Sequence, residues 1–140
     1  MRRRDEGATA VEVAIVLPVV LAFVGMILFG ALYGLFSSTT DNVARRAARY
    51  ATTRTGSSAS APYPTAAQVS SFVAGRTPRF MGTPQVATTS TGTDEGSIVT
   101  VSVTFPEMPE LRAVGSFMAL VGVDVRSAST ISRSASGRRE

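Results

Sequence analysis

Glu12 is the carboxylate whose position alone gives it something to do. After it no charged residue occurs until Asp41, so 28 consecutive uncharged residues follow an acid. Near the end of an apolar helix a carboxylate is tolerated more readily than at its centre, where insertion of a charged residue costs roughly 2.5–3.5 kcal/mol. Two readings stand for Glu12: a hydrated acid at headgroup level, or an acid awaiting a cation inside the membrane boundary. The other candidates for chemistry offer less. Asp94, Glu95, Glu107, Glu110 and Asp124 have no metal-ligand spacing, and the chain has no His, the commonest general base and metal ligand. With no Cys there is neither a disulfide nor a zinc–thiolate site. The many Ser and Thr lack a recognisable activating base. These residues predict a protein without enzymatic activity, cofactor, metal or small-molecule substrate.

The element that must position Glu12 is an apolar rod. Val13–Phe36 reads VAIVLPVVLAFVGMILFGALYGLF. At 1.5 Å per residue these 24 residues reach about 36 Å, enough for a hydrocarbon core of about 30 Å. A transmembrane span over about 13–36 is therefore expected, with the lipid bilayer as its first partner. Pro18 lies about a third of the way from Ala8 to Phe36, removes one backbone hydrogen bond and is read as a bend retained for packing. Gly30 and Gly34 form a GxxxG pair that permits close helix approach. Ser37–Thr40 makes a polar patch at the expected lipid–water boundary.

Helical spacing then resumes. Asn42, Arg45, Arg46 and Arg49 share one face, and Val43, Ala47, Tyr50 and Ala51 the other. Nothing at Ser37–Thr40 is a strong breaker, so one helix over 8–54 is favoured over a pair with a break there. The arginines read as a solvated, lipid-facing stripe. Residues 1–56 hold an excess of three positive charges and residues 57–140 an excess of one. Basic residues beside a span meet lipid headgroups, so the high pI does not indicate nucleic-acid binding.

Beyond the anchor the pattern predicts α+β: a long N-terminal transmembrane helix, then a small domain of one or two helices and a roughly three-stranded antiparallel sheet. Residues 1–7 form a polar tail and 55–64 a linker by composition. Thr65 with Gln68 resembles a capping box ahead of an apolar helical face at Ala66, Val69, Phe72 and Val73, with Gly75 as the stop. Ser97–Phe105 alternates apolar and polar residues as a strand, Gln85–Thr91 is its partner, and Val123–Ile131 is the expected third strand. Leu111, Val114, Met118 and Val121 keep helical spacing after Pro109, although Gly115 and the prolines fit a loop equally well. The folded domain is expected over 65–131 and a disordered tail over 132–140.

The stretch Gly7-Ala8-Thr9-Ala10-Val11-Glu12 ahead of an apolar run resembles the processing site of type IV prepilins and pseudopilins. That resemblance implies cleavage by a prepilin peptidase between Gly7 and Ala8, leaving Glu12 fifth in the mature chain. Cleavage would create an α-amino group, largely protonated near neutral pH from a reference pKa of about 7.7–8.0. A Glu from a neighbouring helix can neutralise it, and such a pair acts mainly as a register device. Val13 stands where that family usually has an aromatic. EVAIVLP from Glu12 to Pro18, followed by NVARRAARYA after the span, is similar to the N-terminal domain of TadE-like proteins, pseudopilins of the tight-adherence (Tad) pilus. The segments Val99–Pro106 and Val123–Ser132 resemble that family's strand–loop–strand ending.

The resemblance implies a structural role in a Tad pilus or secretion apparatus in the plasma membrane, with other pseudopilins and assembly-platform proteins as partners. It also implies a cytoplasmic N-terminus and an extracytoplasmic domain; charge counting on either side of the span does not decide the orientation. The competing readings are a generic single-pass anchor displaying a small binding domain, and a secreted protein with a cleaved signal peptide. The apolar run is long for a signal h-region, and no clear cleavage motif follows it.

Overall fold

Apolar residues at helical spacing, interrupted by no glycine–proline turn, give a 51-residue helix, α1, Arg2–Thr52. The computed structural model describes residues 2–54, 63–106, 108–120, 122–125 and 130–140, without the side chains of residues 2–9. Most of the expected linker therefore lies outside the described residues. The helix passes through Pro18 and through the Ser/Thr patch without a break. Those hydroxyls turn back on the helix itself: Ser38 and Thr39 donate to the Leu35 carbonyl at 2.9 Å, and Thr40 to the Phe36 carbonyl at 2.8 Å. Locally satisfied hydroxyls do not break a helix, which is why the continuous form prevails.

Helix α2, Ala66–Arg76, starts at the expected capping box: Gln68 N–H donates to Thr65 Oγ1 at 3.4 Å, and Thr65 N–H to Gln68 Oε1 at 2.8 Å. It runs one residue past Gly75 and buries Val69 and Val73. A short 3₁₀ turn, Arg79–Met81, leads to β1, Gln85–Ser90. Strand β2, Ile98–Phe105, is the central strand of an antiparallel sheet in the order β1-β2-β3, and it buries Val99, Val101, Val103 and Phe105 on one face. Burying each of those side chains stabilises the fold by about 1.5–3 kcal/mol. Helix α3, Pro109–Leu120, follows, and β3 spans Ile131–Arg138.

The third strand corrects two expectations. Val123–Val125 has no regular structure, and Ile131 begins the strand instead of ending it. The segment expected to be a disordered tail is the strand itself, paired from Phe105↔Ile131 to Ile98↔Arg138. Its inward positions are Ile131, Arg133, Ala135 and Gly137, and only the first is a large apolar residue. They are small or polar because α1 lies directly against them. A Cβ at Gly137 would stand 2.9 Å from Thr52 Cγ2 and 3.6 Å from the Ala48 carbonyl oxygen. Beyond the strand, Tyr63 Oη donates to the Glu140 carbonyl at 2.9 Å and Arg139 lies over the Tyr63 ring, holding the C-terminus to the domain.

The sheet and helices enclose one side of α1. Its covered stripe runs through Phe36, Thr40, Val43, Ala44, Ala47, Ala48 and Ala51, the 3–4 spacing of a single helix face. Arg45, Arg46 and Arg49 stay exposed on the other side, as their spacing predicted. Phe36 is 2% exposed and Thr40 fully buried, so the polar patch on this face meets protein. Arg133 donates to Ser37 Oγ across that contact.

Candidate functional site

Helix α1 carries an 18-residue window of mean hydropathy 2.8, of which 6% is buried, so length and composition would let it cross a membrane. Residues 11–21 are exposed without interruption. Apart from Glu12 the helix is apolar all along this stretch, yet no other part of the described chain covers it. A core helix of a soluble domain would instead be enclosed.

Glu12 is exposed at the start of this surface and pairs with no cation among the described residues. Gly30 follows eighteen residues later, about five turns at 3.6 residues per turn, and so returns to the same side of the rod. Gly34 lies one further turn along. A Cβ at Gly30 or at Gly34 would meet nothing within 4 Å, so both stand before open space. Pro18 is likewise exposed within the helix. The stripe covered by the domain is rotated from the Glu12–Gly30–Gly34 side by roughly 100° on an ideal helix. The stripe reaches that side at Ala48, eighteen residues beyond Gly30, so the domain leaves it free along residues 12–34. Gly7 and Ala8 fall in the helical backbone, and their side-chain surroundings lie outside the described residues.

Gly25, a position without a sequence signal, proves to be a contact point. A Cβ there would overlap Met118 Sδ and fall 3.6 Å from Phe117 Cε1, so α3 approaches α1 at a residue without a side chain. Gly30 and Gly34 attract notice through their mutual spacing, whereas Gly25 has no partner in the sequence to mark it. Phe29, Leu32 and Tyr33 continue the contact toward Phe36. The expected span at Val13–Phe36 is thus divided. Its first half is bare, and one side of its second half packs against the domain.

Charge is sparse around this surface. Arg45 pairs with Asp41 at 2.9 Å one turn away, and Arg54 pairs with Glu95. Both pairs are solvent-exposed and each contributes at most about 1 kcal/mol. Among the described residues no group of three or more His, Cys, Asp or Glu could hold a metal ion. The arrangement suits helix packing, with one free acid at the rim of a bare apolar surface.

Residues 7–49 match the family model described as TadE-like protein. No curated protein and no solved structure gives a match. The matched segment holds Glu12, Pro18 and the four glycines Gly7, Gly25, Gly30 and Gly34, and it ends before α2. A TadE-like segment on a single candidate membrane helix fits a membrane-anchored component associated with a Tad pilus.

Proposed function

We propose, from the TadE-like character of residues 7–49, that this chain is a non-catalytic pseudopilin of a Tad pilus or secretion apparatus that assembles through the bare face of α1. The observation that carries the reading is the coincidence of Glu12, Gly30 and Gly34 on one uncovered side of the helix. A neighbouring helix can approach closely over the two glycines, because its packing in lipid depends on small residues and van der Waals contact. Glu12 then supplies register. Its partner is the α-amino group that a prepilin peptidase would free at Ala8 on an adjacent subunit, and leaving either charge alone in an apolar setting is costly. The domain faces away from the cytoplasm and is carried on a flank of the rod turned by roughly 100° from that face.

Co-purification tests the role of the acid. Glu12→Ala should insert into the membrane like the parent chain and lose association with other pseudopilins and platform proteins in detergent extracts. Undiminished association would remove Glu12 from the account and favour a generic anchor.

A further inference from the structure

The C-terminal end of α3 has apolar side chains and no protein to cover them. Leu120 is 86% exposed and Phe117 is 42% exposed. From Ala113 to Val123 the sequence has no charge. The helix descends along α1. Leu111 belongs to the core cluster that contains Phe36, whereas Met118 lies outside that cluster and meets Gly25. The apolar tip therefore stands beside the same stretch of α1 that is itself bare.

Depth follows from the rod. Apart from half-buried Ala22 and from Gly25, which Met118 covers, residues 10–28 of α1 stay exposed and, beyond Glu12, apolar, a stretch of 19 residues and about 28 Å. That length matches a hydrocarbon core of about 30 Å. Gly25 lies three residues inside its outer end, about 4.5 Å deep. A helix seated in the interface buries its apolar face by about 5–10 Å, the same level.

The backbone at this end is suited to such a place. Gly122 N–H donates to the Ala119 carbonyl at 3.1 Å and Val123 N–H to the Met118 carbonyl at 3.0 Å. With Gly122 at φ +84°, this is a Schellman closure that satisfies carbonyls a helix end otherwise leaves open. In lipid, unsatisfied carbonyls are costly, so a closed end removes an obstacle to insertion.

We infer that Phe117 and Leu120 seat the end of α3 in the lipid leaflet on the domain's side, so that the domain rests on the membrane and does not swing free of it. The inference rests on the membrane-anchor reading above. The Met118–Gly25 contact then fixes how deep α1 sits, because α3 and α1 enter the leaflet as one unit.

The test uses full-length protein in phosphatidylcholine–phosphatidylglycerol vesicles, with and without lipids brominated at shallow or deep acyl positions. The chain has no cysteine, so single sites at Leu120→Cys, Val16→Cys and Thr89→Cys can carry an environment-sensitive fluorophore. All three positions are exposed, which leaves the core intact. The expected result is blue-shifted emission at 120, quenched more by shallow than by deep bromines. The probe at 16 should be quenched most by deep bromines, and the probe at 89 should stay red-shifted and unquenched. A probe at 120 that behaves like the one at 89, while 16 is quenched, overturns the inference and leaves the anchor standing. Loss of quenching at 16 as well overturns both. Blue-shifted emission at 120 that ignores brominated lipid and depends on the protein-to-lipid ratio would assign the surface to a second copy and overturn the lipid seat.

Discussion

Replacing Gly137 by Ala should loosen β3 from α1, and the size of the effect follows from the contact. The added Cβ would meet Thr52 Cγ2 at 2.9 Å, Thr52 Oγ1 at 3.5 Å and the Ala48 carbonyl oxygen at 3.6 Å. Only the first is closer than folded proteins tolerate, and Thr52 Cγ2 belongs to a short, β-branched side chain that cannot swing aside freely. Overpacking of this kind costs about 1–3 kcal/mol. The loss of glycine's unfolded-state freedom offsets about 0.4–1 kcal/mol of that. At the middle of these ranges a net destabilisation of about 1.3 kcal/mol remains, which should speed hydrogen exchange of the β3 amides roughly 9-fold. Thr52→Ala removes the two shortest contacts. Alone it gives up the hydrogen bond from Thr52 Oγ1 to the Arg49 carbonyl at 2.9 Å, in a last helical turn where the effect is small. Combined with Gly137→Ala it should restore protection, a coupling of about 1 kcal/mol in a double-mutant cycle. Exchange mass spectrometry of the detergent-solubilised chain reads all four proteins. Unchanged exchange in Gly137→Ala, or no rescue by Thr52→Ala, would refute the reasoning that small residues in β3 exist to admit the helix.

Two further outcomes test other parts of the fold. Phe36→Ala should lower the domain's stability by about 3–5 kcal/mol, because a fully enclosed ring leaves a cavity; limited proteolysis should then cut the domain while the chain stays in the membrane fraction. Thr65→Ala removes the capping box of α2 and should cost about 1 kcal/mol, seen as faster amide exchange confined to that helix.

The elements with regular chemistry were legible in the sequence. Val99, Val101, Val103 and Phe105 alternate with Thr and Ser, and β2 has that face buried. Thr65 and Gln68 stand at capping-box spacing, and α2 begins there. Helix α1 was legible because Val43, Ala47 and Ala51 keep the phase of one face after the polar patch. Strand β3 was not, since Ser132–Arg138 has the composition of a disordered segment. Its small inward residues are required by the approach of α1, a tertiary fact that composition does not carry. The outer limit of the bare surface was hidden for a different reason. Phe29, Leu32 and Phe36 are as apolar as the residues before them, and hydropathy does not distinguish a side chain that meets lipid from one that meets its own domain. Gly25 was silent because a single glycine in an apolar run has no pattern until α3 is placed against it. Of the candidate site, Glu12, Gly30 and Gly34 were marked by type and spacing, and their common side follows from the helical period.

Assembly through Glu12 turns on Gly7–Ala8, because the cation proposed for Glu12 exists only after cleavage there. Intact mass and N-terminal sequence of the membrane-extracted chain, co-expressed with a prepilin peptidase, test this most directly. Loss of residues 1–7, an N-terminus at Ala8 and retention of the apolar helix are the expected results. Full-length chain in the presence of active peptidase, or cleavage beyond Phe36, would contradict this mode of assembly.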